Sequence, residues 1–132
     1  MWAADGASRA LGMKLLDIAP GRARVTMTVR PDMVNGHGLC HGGLIATLAD
    51  SAFALACNSH GPAAVAAGFQ IDFLRPARLG DVLVADAEER ALRGRSGIYD
   101  VTVRRAADGE VVAEFRGRSR VLPAQEPAGE RR

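Results

Sequence analysis

The stretch His41-Gly42-Gly43-Leu44-Ile45-Ala46-Thr47-Leu48-Ala49-Asp50-Ser51-Ala52-Phe53-Ala54-Leu55-Ala56-Cys57-Asn58-Ser59 decides the fold. Leu44, Leu48, Ala52 and Leu55 recur at helical spacing, with Ile45, Ala49, Phe53 and Ala56 beside them. This predicts a helix over 41–59, stopped by His60-Gly61-Pro62. Apolar residues occupy nearly its whole circumference, so something large has to bury it. One polar stripe interrupts it. Thr47, Asp50 and Ser51 share a face by i+3 and i+4 spacing, and Ala54 and Asn58 continue that face. An unpaired ionised carboxylate in a buried helix costs several kcal/mol. Either solvent or internal hydrogen bonds satisfy the stripe, or it meets a cavity, a partner or a substrate.

Outward from the helix, the chain reads as strands. Upstream, 14–19 is a strand, Pro20-Gly21 a turn, and 22–29 alternates Ala23, Val25, Met27 and Val29 against Arg24, Thr26 and Thr28. Ser8 to Met13 makes a short helical turn, and 31–40 is a Gly-rich loop holding Asn35-Gly36-His37-Gly38. Downstream, strands are predicted over 63–74, 81–92, 97–105 and 111–122, with Asp108-Gly109 as a hairpin turn before the last. One long helix without βαβ alternation argues against a parallel sheet. The economical solution is an α+β fold in which an antiparallel sheet wraps the single apolar helix. The expected domain is 8–122, with 1–7 and 123–132 as flexible ends.

The totals exclude several function classes. The 132 residues fit one domain, and the net charge is only +2. Lys14 is the only lysine among 17 basic residues, and the arginines are scattered without interleaved aromatics, so nucleic acid is not an expected partner. The stretch 44–57 is too short and too polar to span a bilayer. The opening residues lack a charged n-region and an apolar h-region, which predicts a cytoplasmic protein with reduced Cys40 and Cys57. No zinc-ligand spacing stands out, so neither a metal nor another cofactor is expected.

The start of the helix carries chemistry. The first N–H groups of a helix lack internal partners, and the dipole adds positive charge there. Gly42 and Gly43 present those groups without a Cβ, so a ligand oxygen can approach closely. An oxyanion hole has this form.

Asn35-Gly36-His37 through His41-Gly42-Gly43, then 48–54 and Cys57-Asn58-Ser59, closely resemble the PaaI-type acyl-CoA thioesterases of phenylacetic acid degradation. The resemblance continues through Ile71-Asp72-Phe73-Leu74-Arg75-Pro76, 97–101 and 115–119. It implies the hot-dog fold and hydrolysis of an aryl-acetyl-CoA, phenylacetyl- or hydroxyphenylacetyl-CoA. Alternatives are a medium-chain or quinone-precursor acyl-CoA, a hot-dog hydratase, or a non-catalytic acyl-CoA sensor. The resemblance makes Asp50 the catalytic carboxylate, as nucleophile or as general base for water, and Gly42 the oxyanion donor. It gives Asn35 a contact with the thioester or its water, and His41 a supporting place. Gly43, Thr47 and Ser51 would line the substrate. Arg93, Arg95 and Arg118, with Arg116, are candidates for the phosphates of coenzyme A.

Thioester hydrolysis needs little more than a carboxylate and an oxyanion hole, because a thiol of pKa about 8.5 leaves readily. Residues 42 and 50 lie eight apart on one helix, about 12 Å along its axis at about 1.5 Å per residue. One subunit cannot bring them together. The expected site is therefore shared in a homodimer, and family members pair such dimers into tetramers.

Overall fold

Residues 2–123 are described in a computed structural model. Period-two alternation yields two paired strands, β1 (Lys14–Ala19) and β2 (Arg22–Thr28), before the long helix. That helix, α2, runs Gly42–Asn58. Four strands follow: β3 (Ala64–Phe73), β4 (Val82–Arg93), β5 (Ser96–Arg105) and β6 (Val111–Val121). All six form one antiparallel sheet in the order β1-β2-β4-β5-β6-β3. Each of these strands, and α2, lies within one or two residues of its expected bounds. The strand order is new information: β3, next in sequence after the helix, sits at the far edge.

α2 lies against the inner face of the sheet and touches every strand. Nine of its 17 residues are buried. Phe53 anchors it, with ring centroids 5.7 Å from both Tyr99 and Phe115. Val25, Leu83, Val101 and Val103 of the facing strands are fully buried beneath the helix. Each such side chain contributes about 1.5–3 kcal/mol relative to exposure, so the covered face of α2 is the main source of cohesion.

Three expectations change. The N-terminal segment is built into the fold: Trp2–Ala4 forms a 3-10 turn, Trp2 packs on the core, and α1 (Gly6–Ala10) starts two residues early, capped by Asp5. Phe69, like Tyr99 an aromatic expected in the core from its place on a strand, is 46% exposed and stacked on Phe115 with centroids 4.7 Å apart. Its side of β3 faces inward, but no described residue covers that edge of the sheet. A 3-10 turn, Pro31–Met33, interrupts the expected loop. Met1 and 124–132, most of the expected flexible tail, lie outside the described residues.

Asn58 ends the polar stripe and is satisfied by internal hydrogen bonds. Its side-chain NH₂ donates to Ala54 O (2.8 Å) and Ala64 O (3.0 Å), and its Oδ1 accepts from Ala64 N–H (2.9 Å). It thus ties the last turn of α2 to the first residue of β3. Asn58→Ala would strand both backbone groups of Ala64. The expected cost is about 1–3 kcal/mol, seen as a lower urea midpoint with unchanged slope.

Candidate active site

His41 sets the head of α2. It is the N-cap residue in an extended conformation (ψ 131°), and its side chain is exposed and caps nothing. Its N–H donates to Met33 O (2.9 Å), and its carbonyl accepts from Leu44 (3.0 Å) and Ile45 (3.3 Å). The Gly42 and Gly43 N–H groups are left without an acceptor among the described residues. Two aligned donors at the positive end of a helix favour an oxygen carrying negative charge.

The loop before the helix folds on Asn35. Its Oδ1 accepts from His37 N–H (2.9 Å) and Leu39 N–H (3.1 Å), while Asn35 O accepts from Gly38 N–H (3.0 Å). With Oδ1 occupied, the Asn35 Nδ2 is left to donate outward. Asn35 and Gly42 line one open recess of about 380 Å³ with Leu39, Ile45, Phe73 and Leu74. The half-exposed Phe73 ring lies over Gly42, where a Cβ would come within 2.9 Å of it. His37 itself is exposed on the loop.

Asp50 is half-buried and accepts no hydrogen bond from a described residue. Burial raises its pKa above the ordinary 3.8, and the nearby Asp5 carboxylate adds to the rise. The sequence reading missed Asp5, although Asp followed three residues later by Ser is an N-cap signature. Asp5 accepts from Ser8 N–H (2.9 Å) and from Ser8 Oγ–H (2.6 Å), and these bonds hold its own pKa down. The hydroxyls of Ser8 and Ser51 are 2.7 Å apart. Since Ser8 gives its proton to Asp5, Ser51 is the donor in that contact.

The polar stripe therefore divides. Ser51, expected to line the substrate, is only 9% exposed and holds α1 to α2 instead. Thr47 stays half-buried, its hydroxyl donating to Gly43 O (2.8 Å). Asp50 keeps its whole carboxylate free of described partners on this face. The structure brings Asn35, His41, Gly42 and Gly43 together, and leaves Asp50 about 12 Å along the helix from Gly42, at about 1.5 Å per residue.

The arginines lie elsewhere. Arg93 and Arg95 are exposed at the β4–β5 hairpin, and Arg118 is exposed on β6 beside Gly68 of β3. None of the three forms an ion pair among the described residues. Gly68 is five residues from Phe73, about 16 Å at about 3.3 Å per strand residue, so Arg118 is far from its own Gly42. Arg116 is committed: it holds Asp100 through two hydrogen bonds of 2.6 and 2.8 Å, and Arg90 adds a third. These bonds hold the Asp100 pKa down to about 2. Both cysteines are free and buried. Among the described residues, no helix is long and apolar enough to cross a membrane.

The chain is similar to known proteins over most of its length. The thioesterase superfamily pattern matches residues 37–112. Acyl-coenzyme A thioesterase PaaI of Escherichia coli K12 is 47% identical over 119 residues, which covers 90% of this chain and 84% of that one. The crystal structure of the E. coli PaaI protein superposes with a TM-score of 0.91, covering 95% of this chain and 90% of that one. A Streptococcus mutans UA159 protein bound to acetyl CoA is 28% identical with a TM-score of 0.81, covering 86% of this chain and 91% of that one.

Two variants test the electrostatics of Asp50. A raised carboxyl pKa means that the fold favours the protonated form, so its stabilising effect is lost as pH rises through that pKa. Asp50→Asn should accordingly be at least as stable as wild type at pH 7. Asn still caps a helix, so Asp5→Asn removes the neighbouring charge while keeping α1. In that variant the Asp50 carboxyl carbon, followed by NMR titration, should titrate closer to 3.8 than in wild type.

Proposed function

The chain belongs to the thioesterase superfamily and is an acyl-coenzyme A thioester hydrolase, and we propose that it acts on an aryl-acetyl-CoA through a site shared by two subunits. One observation carries the site: two free N–H groups at the head of α2, and an unpaired carboxylate two turns further along the same helix. A thioester carbonyl oxygen would accept from Gly42 N–H, with Gly43 and the Asn35 Nδ2 beside it. Asp50 of the other subunit would supply the attack.

Two routes balance. As nucleophile, an Asp50 oxygen bonds to the carbonyl carbon and the C–S bond breaks. Water then cleaves the resulting anhydride, giving the free acid, and the coenzyme A thiolate takes up a proton. As general base, Asp50 takes a proton from water while the oxygen adds to the carbonyl carbon. The C–S bond breaks, and that proton ends on the thiolate. The raised Asp50 pKa favours the base role, because a stronger base accepts the proton more readily.

The dimer is supported by the sheet edge. Among the described residues β3 pairs only with β6, leaving its other side open beyond Ala64, which Asn58 covers, with Val65, Phe69 and Phe73 exposed. Long apolar edges tend to acquire a partner. By contrast, β1 at the opposite edge is short, irregular in register, and carries Lys14 and Asp17. Two β3 edges meeting antiparallel about a two-fold axis would set the Ala64 end of one against the Phe73 end of the other. That arrangement carries Arg118, and Arg93 and Arg95 with it, towards the opposite subunit's Gly42 recess, where coenzyme A phosphates need positive charge. We place the enzyme in the cytoplasm, as a dimer of such dimers.

The aryl-acetyl assignment rests on the likeness to PaaI. A panel of acyl-CoAs tests it, with phenylacetyl- and hydroxyphenylacetyl-CoA expected to give the highest kcat/KM. A preference for medium-chain or quinone-precursor thioesters would replace it, and hydration of an enoyl-CoA without thiol release would overturn the hydrolase reading. Pro is tolerated at the first helical position but has no N–H. Mixing inactive Asp50→Ala with inactive Gly42→Pro should therefore restore about a quarter of the sites if subunits exchange and share them. Single turnover in ¹⁸O-water separates the routes: label enters Asp50 only if it is the nucleophile.

A further inference from the structure

The charge that acts on Asp50 comes from the cap of α1. Among the described residues Asp5 is the only charged group that raises the Asp50 carboxyl, after burial itself. Cys57 of the same helix responds to Asp50, which adds to the rise of its thiol. Arg9 of α1 turns away and donates to Ala3 O. The sheet residues beneath α2 include Val25, Leu83, Val101 and Val103, all apolar. Charges of these strands, such as Arg24 with Asp86 and Arg116 with Asp100, pair on the exposed side. In the shared site the partner subunit's Asn35 and His41 would also face Asp50, and His41 is the titratable one.

Asp5 is fixed in place. Ser8, the buried residue of α1, is 1% exposed. Its N–H and its hydroxyl both donate to Asp5, at 2.9 and 2.6 Å, and that hydroxyl accepts from Ser51 Oγ at 2.7 Å. Ser51 directly follows Asp50 in α2. The Asp5 carboxylate therefore stands two hydrogen bonds from the residue next to Asp50, joined to it through buried hydroxyls. The segment is tied on both sides of this link. Trp2 packs on the core ahead of it, and Met13 N–H donates to Ser8 O (3.0 Å) behind it.

Capping alone does not call for a charge here. Asn and Ser cap a helix about as well as Asp does. A negative charge set against a half-buried carboxylate is unfavourable, and a neutral cap would avoid that cost. The two carboxylates also sit in opposite settings. The bonds from Ser8 hold Asp5 below 3.8, while burial and then Asp5 hold Asp50 above it. Neighbouring carboxyl groups in such unequal settings divide their roles: one keeps its charge and the other carries the proton.

We propose that Asp5 is a positioning residue for thioester hydrolysis, an ionised carboxylate that α1 fixes beside Asp50 so that Asp50 is the member of the pair that takes the proton. This rests on the reading of Asp50 as the reacting carboxylate. It extends the active site to the N-terminal turn, which touches neither the carbonyl recess nor the thioester.

The test is kcat against pH, by release of coenzyme A from saturating phenylacetyl-CoA. Asp5→Asn and Asp5→Ser both keep a capping side chain and remove the charge. In each, the acid limb should move to lower pH, and the plateau should fall about two- to threefold because Asp50 becomes a weaker base. The profiles should therefore cross, with the variants faster on the acid side and slower on the plateau. Raising the salt concentration screens charge, so it should move the wild-type limb the same way and leave the variants' limbs in place. A uniform loss at every pH in both variants marks a merely structural cap, and superposable profiles mark no role; either overturns the assignment. Asp50→Ala, measured alongside, keeps the two readings apart. Near-normal turnover in Asp50→Ala overturns the site itself, whereas lost turnover there with superposable Asp5 profiles overturns only the role of Asp5.

Discussion

The rest of the structure depends on covering α2. A helix that is apolar nearly all round has to be enclosed, and one sheet can enclose only one side. The sheet does this closely: on β6, where any side chain of Gly117 would strike the Phe53 ring within 2.8 Å, the strand has none. Burial on that side tolerates what the helix carries elsewhere. Asp50 is half-desolvated and unpaired, an arrangement that weakens a fold and strengthens a base. The face that the sheet leaves uncovered is the face with unspent chemistry.

Much of this was legible in the sequence because the signals are local. Helical spacing in 44–57 and alternation in 22–29 placed α2 and β2 within a residue or two, and the Gly42-Gly43 pair marked the free N–H groups. What escaped is non-local. The passage of β3 to the far edge is set by pairing with β6, which no local pattern encodes. Alternation shows which way Phe69 points but not whether anything lies over it. The polar stripe shows that Thr47, Asp50, Ser51 and Asn58 share one side, yet their partners come from different parts of the chain. Asn58 reaches β3, Ser51 reaches α1, and Asp50 reaches neither. Asp5 was hidden differently: its capping spacing was readable, but it lay in a segment expected to be loose.

The two ends of α2 are electrostatic opposites, and this separates the chemistries they suit. At the Gly42 end, unpaired N–H groups and the positive end of the dipole favour an oxygen gaining negative charge, as a thioester carbonyl does in its transition state. At the Cys57 end the dipole is reversed and Glu89 stands near. Burial there pushes the Cys57 thiol up to about 11, so it stays protonated and non-nucleophilic at neutral pH. A cysteine and a histidine near one pocket would suggest a nucleophile and its base. Here the histidine is held by Glu89 and the thiol lacks the positive surroundings that would ionise it, so this end of the helix offers no activated nucleophile among the described residues.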